Sequence, residues 1–288
     1  MYPEDEYDKP VFVGRFNCGA ISLHLPMILA KARAEGRDFY EVLDYYMEMI
    51  RELHKKTYDF LGDKKASINP LGFCEGGFYG GHLKPDQKIK PLLKAMTFSF
   101  GVTALNELQR LYNGKSIYED GEFALEVMKY INDKVNEYKE ADKILYAIYG
   151  TPSESLAGLQ SEQFKAKYGV IENVSDRGYV SNSFHCHVTE NITTIQKQDA
   201  ESRFWNYFNG GKIQYCRYPV SYNLKAIKTL VRRAMAMGFY EGVNLSLSYC
   251  EDCGYEQLDM EECPKCGSKM ITKIDRMNGL ADSPYKIG

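Results

Sequence analysis

Four cysteines near the C-terminus, Cys250, Cys253, Cys263 and Cys266, form two C-x2-C pairs. Each pair is closed by a glycine, Gly254 and Gly267, and Pro264 sits inside the second. Two such tight turns supply four soft thiolates in a tetrahedron, the donor set that zinc prefers. The plainer alternative is four reduced core cysteines. Four thiolates leave no position for water or substrate, so the spacing predicts a structural Zn(2+) site, not a catalytic one. Such a ribbon holds something in place, and the segment immediately C-terminal to it is Ile274-Asp275-Arg276-Met277-Asn278-Gly279.

A second constellation is Thr151-Pro152-Ser153-Glu154-Ser155, between an apolar run and a helical stretch. The free amides of a helix N-terminus attract anions, and hydroxyls add donors, so this segment reads as a phosphate cradle. Read plainly, it is an ordinary helix start, with Thr151 as cap, Pro152 in the first turn and Glu154 favourable to the dipole. Near the N-terminus, alternation along a strand puts Phe12, Gly14, Phe16, Cys18 and Ala20 on one face, and Arg15, Asn17 and Ile21 on the other. Cys18 then packs beside Phe16, and Asn17 is free to line a site. His185 and His187 flank Cys186 on a predicted strand and share a face, without a clear third ligand. Glu75 reads equally as a substrate contact or a solvated loop carboxylate, and Cys216 as core. Gly279, on its own residues, reads as a turn glycine.

Strand-like and helix-like segments alternate and position these groups. Residues 11–25 read as a long strand. Pro26 opens a helix to about Gly36, and Asp38 with Glu41 resembles a capping box for a helix ending at Gly62. Residues 67–90 form a glycine-rich loop. Strands are predicted at 95–102, 144–149, 179–189, 212–218 and 243–249. Helices are predicted at 103–113, 120–141, from 151 to about 169, 198–208 and 224–238. Repeated β-then-α units imply parallel strands with helices outside.

The chain has 288 residues with 44% hydrophobic content, enough for a large core. A net charge of -3 argues against a dedicated nucleic-acid surface. No apolar run approaches a membrane span and no signal-peptide pattern opens the chain. Eight cysteines with a thiolate zinc site suit a reducing compartment, so a cytoplasmic location is expected, with no membrane and no nucleic acid among its partners.

The ordered set RFNCGAISLHLP, INPLGFCEGG, GTPSESL, SNSFHCHV, the four-cysteine ribbon and DRMNG resembles the anaerobic (class III) ribonucleoside-triphosphate reductase large subunit, C-terminal portion only. The resemblance runs from about Val11 to Gly279. It implies an α/β fold: the C-terminal half of a ten-stranded α/β barrel of the glycyl-radical enzyme type over residues 1–249, a zinc ribbon over 250–273, and a radical loop and tail over 274–288. It implies radical reduction of ribonucleoside triphosphates to deoxyribonucleoside triphosphates, with formate as reductant. Gly279 matches the glycine on which a radical-SAM activase places the radical. Asn17 matches an asparagine beside the ribose. Thr151, Pro152, Ser153, Glu154 and Ser155 match the segment holding substrate phosphates.

Two departures stand out. The family's thiyl cysteine lies upstream of the first strand, and no cysteine precedes Cys18 here; Gly279 is followed by Leu280 where the family carries tyrosine. The chain is therefore expected to work with the N-terminal half of the reductase or as a homo-oligomer. The alternative is a truncated, inactive remnant that folds and binds zinc.

Overall fold

The computed structural model describes residues 11–153, 155–218, 223–244, 247–258, 260–274, 276–277, 280–281 and 285–286. In chain order its elements are β1 (Asn17–His24), α1 (Leu25–Glu35), α2 (Phe39–Gly62), α3 (Pro70–Phe73), β2 (Thr97–Thr103), α4 (Leu105–Asn113), α5 (Glu122–Asp142), β3 (Tyr146–Gly150), α6 (Ser155–Tyr168), α7 (Thr194–Trp205), β4 (Gln214–Arg217), α8 (Leu224–Ala236), β5 (Glu241–Asn244), β6 (Leu247–Cys250), β7 (Glu256–Leu258), β8 (Ile271–Ile274), β9 (Arg276–Met277), β10 (Leu280–Ala281) and β11 (Tyr285–Lys286). The chain divides into two units. The first comprises Met1–Thr103, Phe123–Thr151 and Tyr207–Gly211; the second comprises Ala104–Glu122, Pro152–Asn206 and Lys212–Gly288.

In the first unit β1, β2 and β3 form a parallel sheet with β2 in the centre. A central parallel strand is covered on both faces, and β2 is accordingly buried from Phe98 onward. Helix α2 starts where Asp38 accepts the amides of Tyr40 and Glu41. It lays Val42, Leu43, Met47, Ile50 and His54 inward. His54 sits in an aromatic box of Phe98, Phe100 and Tyr146, and its Nε2 lies 3.1 Å from the Ser99 carbonyl. Helices α2 and α5 are joined by a forked ion pair, Arg51 Nε and Nη2 to the two Asp142 oxygens at 2.7 and 2.6 Å. The Arg51 guanidinium also lies over the Tyr138 ring at 4.6 Å.

The first strand is shorter than the sequence suggests. It begins at Asn17, with irregular register between Asn17 and Ala20. Before it, Gly14 takes a φ of 73° and its carbonyl accepts the Tyr79 amide, which turns the chain away from the sheet.

In the second unit β4, α8 and β5 form a parallel βαβ crossover. Helix α7 opens with a full capping box, Thr193 and Gln196. Strands β7, β6, β8 and β11 form an antiparallel sheet carrying the cysteine turns, and β9 pairs with β10. Residues 179–189 were expected as a strand and are instead irregular, with turns at Ser183–Phe184 and Val188–Thr189 and a single bridge residue at Asn182. The stretch expected as one strand at 243–249 is split between β5 and β6, which belong to different sheets.

The five parallel strands of the expected half-barrel are present as a sheet of three and a sheet of two, and no barrel closes among the described residues. A barrel closes as one continuous ladder, and these five strands are divided between two sheets.

Candidate functional site

The cysteine cluster is built by two matching turns. The amide of Gly254 donates to the Cys250 carbonyl, and that of Gly267 to the Cys263 carbonyl, both at 2.8 Å. Both glycines are left-handed, with φ of 68° and 72°, a conformation that a side chain would oppose. The ligand atoms of all four cysteines lie within 4.8 Å of one another. Cys250 and Cys266 sulfurs are 3.5 Å apart, as are those of Cys253 and Cys263. A tetrahedral zinc with Zn–S of about 2.3 Å needs sulfur separations of about 3.8 Å, so the donor set fits the ion.

The thiols of the cluster are shifted in opposite directions. Burial raises the Cys263 thiol, but the amides of Cys266 and Lys265 outweigh it and bring its pKa to about 7. The Ser268 amide lowers Cys266, yet its neighbours Cys250 and Cys253 push it up to about 12. Four thiolates at this spacing need a cation to ionise together. Among the described residues, no other His, Cys, Asp or Glu group is gathered closely enough to hold a metal.

Asn17 is exposed at the start of β1 and held on both ends. Its Nδ2 donates to Ser99 Oγ at 2.8 Å, and its Oδ1 accepts the Gly19 amide at 3.1 Å. Cys18 packs with Phe16 against the cluster of Phe73, Ile89, Leu93 and Met96. Burial pushes its thiol up to about 12, so it stays protonated and unreactive. Thr151, in the first unit, meets a partner that the sequence did not suggest: its Oγ1 lies 2.9 Å from Ser22 Oγ. In the second unit Ser153 is buried in the left-handed region, with φ of 48°, and its hydroxyl has no partner among the described residues. Ser155 is exposed at the first position of α6. Glu154 and Gly279 lie outside the described residues; β9 and β10 flank Gly279 on either side. Glu75 is an exposed loop carboxylate and Cys216 is buried.

The two histidines do not form a pair. His185 Nδ1 lies 3.1 Å from Glu201 Oε2, whereas His187 Nδ1 lies 2.9 Å from Thr189 Oγ1 and its ring stacks on Tyr179. Glu201 is fully buried and also accepts the Cys186 amide at 2.7 Å and the Lys197 ammonium. Burial pushes the Glu201 carboxyl up, but Lys197 and then His185 outweigh it, and the group stays ionised. On a helix, Lys197 and Glu201 read as a surface i,i+4 pair, and nothing in the sequence signals their burial.

The profile of the family described as anaerobic ribonucleoside-triphosphate reductase matches residues 3–284. The Haemophilus influenzae protein of that name is 29% identical over 295 residues, covering 97% of this chain and 41% of its own length. The Escherichia coli one is 28% identical, covering 98% and 41%. The phage T4 one is 29% identical, covering 99% and 48%. This chain thus spans under half the length of these relatives. Among solved structures, the Thermotoga maritima anaerobic ribonucleotide reductase with MES in its active site superposes with a TM-score of 0.67 at 18% identity, over 94% of this chain and 44% of that one. The fold matches part of that enzyme, and this chain belongs to the anaerobic ribonucleoside-triphosphate reductase family.

Proposed function

We propose that this chain is the glycyl-radical-bearing part of an anaerobic ribonucleoside-triphosphate reductase, working in the cytoplasm. The match over residues 3–284, with the four-cysteine cluster placed directly before Gly279, carries the reading. Residues 1–249 supply the barrel portion, 250–273 the ribbon and 274–288 the radical loop. A radical-SAM activating protein removes hydrogen from the Gly279 Cα. The resulting radical is stabilised by planar delocalisation between the amide nitrogen and the carbonyl, and a Cβ would crowd that plane. Zinc on the four cysteines lends fold stability to the ribbon leading into this loop.

The thiyl cysteine comes from the N-terminal half of the reductase. It takes the 3′ hydrogen of the ribose, the 2′ hydroxyl leaves as water, and formate is oxidised to carbon dioxide as the two-electron donor. Asn17, held by Ser99 and the Gly19 amide, contacts the ribose. Thr151 through Ser155 hold the phosphates, with the orphan Ser153 hydroxyl and the α6 N-terminus as donors.

One observation favours a second reading, a zinc-binding remnant without turnover: Leu280 stands where the family carries tyrosine. Anaerobic reconstitution separates the two. The chain is mixed with an N-terminal fragment bearing the thiyl cysteine, an activating protein, S-adenosylmethionine, a strong reductant and formate. Deoxyribonucleoside triphosphate formation that stops in Gly279→Ala supports the enzyme. No product, with zinc bound and the fold intact, establishes the remnant.

A further inference from the structure

The parallel sheet of the first unit has two faces of opposite character. Residues paired in register share a face, and faces alternate along each strand. One face carries Ile21, Leu23, Phe98, Phe100, Tyr146 and Ile148. Helices α2 and α5 cover it: His54 packs on Phe98, Phe100 and Tyr146, and Tyr138 on Phe100. The other face carries Ala20, Ser22, Ser99, Gly101 and Ala147, with the Tyr149 ring set against Gly211. Such small, polar side chains offer no apolar layer to bury and allow a polar ligand to approach the backbone closely. Asn17 and Ala20 are exposed, and Ser22 and Thr151 are half-buried.

Asn17 joins this second face through a local irregularity. Alternation back from Ala20 would set it beside Ile21, on the helix side. The register between Asn17 and Ala20 is broken, however, and Asn17 Oδ1 folds back to accept the Gly19 amide at 3.1 Å. Its Nδ2 then donates to Ser99 Oγ at 2.8 Å. Breaks of this kind re-aim side chains beside active sites. Ser99 is fully buried, and its carbonyl lies 3.1 Å from His54 Nε2, so its hydroxyl projects from a fixed backbone. Two residues further along β2, the Ser22 and Thr151 hydroxyls meet at 2.9 Å over Gly101, where a Cβ would overlap both. The face therefore holds two hydroxyl-anchored side chains in a row, Asn17 on Ser99 and Thr151 on Ser22.

We propose that Ser99 and Ser22 are positioning residues for the reductase reaction. Ser99 fixes the Asn17 carboxamide toward the ribose, and Ser22 fixes the Thr151 hydroxyl toward the phosphates. This rests on the proposed roles of Asn17 and Thr151. The two anchors are two residues apart on β2, about 6.6 Å, a separation that one nucleotide spans with its ribose at one and its phosphates at the other. The second Nδ2 hydrogen and an Oδ1 lone pair of Asn17 stay available to ribose hydroxyls. Each serine acts through its partner, which meets the substrate already oriented.

The test uses the reconstituted reductase, with the zinc-loaded chain, the N-terminal fragment, activating protein, S-adenosylmethionine, reductant and formate. The kcat and KM for ribonucleoside triphosphate are measured separately. Ser99→Ala is expected to lower kcat about fivefold with KM within about twofold. Ser22→Ala is expected to raise KM about fivefold with kcat within about twofold. In an Asn17→Ala background, itself slower by about a hundredfold, Ser99→Ala should have no further effect; Ser22→Ala should have none in Thr151→Val. A serine that only supports the fold would cost the same in both backgrounds. A serine variant with parent kinetics, or with an equal loss with and without its partner, overturns the role of that serine and leaves the partner's role standing. Parent kinetics in Asn17→Ala or Thr151→Val overturns the role of that residue and of its serine with it. No product from the parent overturns the reductase reading and this inference together.

Discussion

Gly101 in the centre of β2 is a position where one added methyl group should strain the parallel sheet. Its ladder partners are Ser22 on β1 and Tyr149 on β3. A Cβ built there overlaps Ser22 Oγ and Thr151 Oγ1 and comes 3.0 Å from Ser22 Cα. The hydroxyls can turn away only by giving up their mutual bond of 2.9 Å, a loss of about 1 kcal/mol. The Ser22 Cα cannot rotate away, so β1 and β2 must also spread. Overpacking of this kind costs about 1–3 kcal/mol. Gly101→Ala should therefore lose about 2–4 kcal/mol. At roughly 2–4 °C per kcal/mol for a chain of this size, its melting point falls by roughly 5–15 °C. The clash has a specific signature. In a Ser22→Ala background one overlapping oxygen is gone, and Gly101→Ala should cost less by about 1 kcal/mol. A melting point within a degree or two of the parent, or strict additivity with Ser22→Ala, would refute the packing argument.

The same structure predicts three further outcomes. Metal analysis should find about one zinc per chain, lost in the double variant Cys250→Ser with Cys253→Ser, with hydrogen exchange rising across residues 247–274 and remaining protected in β2. Asp142→Asn removes the charge and one acceptor that face the Arg51 Nε and Nη2 at 2.7 and 2.6 Å, leaving Arg51 its pair with Glu48 at 3.1 Å; denaturant titration should show a loss of about 1–2 kcal/mol. Burial lowers His54 to about 4, against about 6.5 when unfolded, so the unfolded state binds the extra proton between these values. Stability is complete above about pH 6.5 and erodes as pH falls toward about 4, by about 3 kcal/mol from His54, and His54→Gln should flatten that part of the pH–stability curve.

The helices were legible because their signals are local. Asp38 caps α2 and its apolar residues recur at helical spacing, so its end at Gly62 could be read directly. The apolar runs that became β2 and β3 could be read as strands for the same reason, as could the four-cysteine turns with their closing glycines. What failed depended on partners distant in sequence. Residues 179–189 alternate like a strand, but the carbonyls of Ser181 and Ser183 are taken by the start of α4, and Glu201 draws in the Cys186 amide from 15 positions away. Residues 11–16 also alternate, yet Gly14 gives its carbonyl to Tyr79 rather than to a neighbouring strand. Of the six strands read from β/α alternation, five overlap the parallel strands β1 to β5, but whether they join into one ladder depends on long-range contacts that periodicity does not record. Asn17 was separable from Cys18 by side-chain alternation alone; its anchoring by Ser99 was not.

The central claim is that Gly279 carries a radical when the chain is activated. The direct measurement is the EPR spectrum of the reduced chain after anaerobic incubation with an activating protein, S-adenosylmethionine and a strong reductant. A doublet that collapses to a singlet when the glycine Cα hydrogen is replaced by deuterium, and that is absent in Gly279→Ala, is the predicted result. No radical signal from zinc-loaded, folded chain, even with the N-terminal half present, would contradict it.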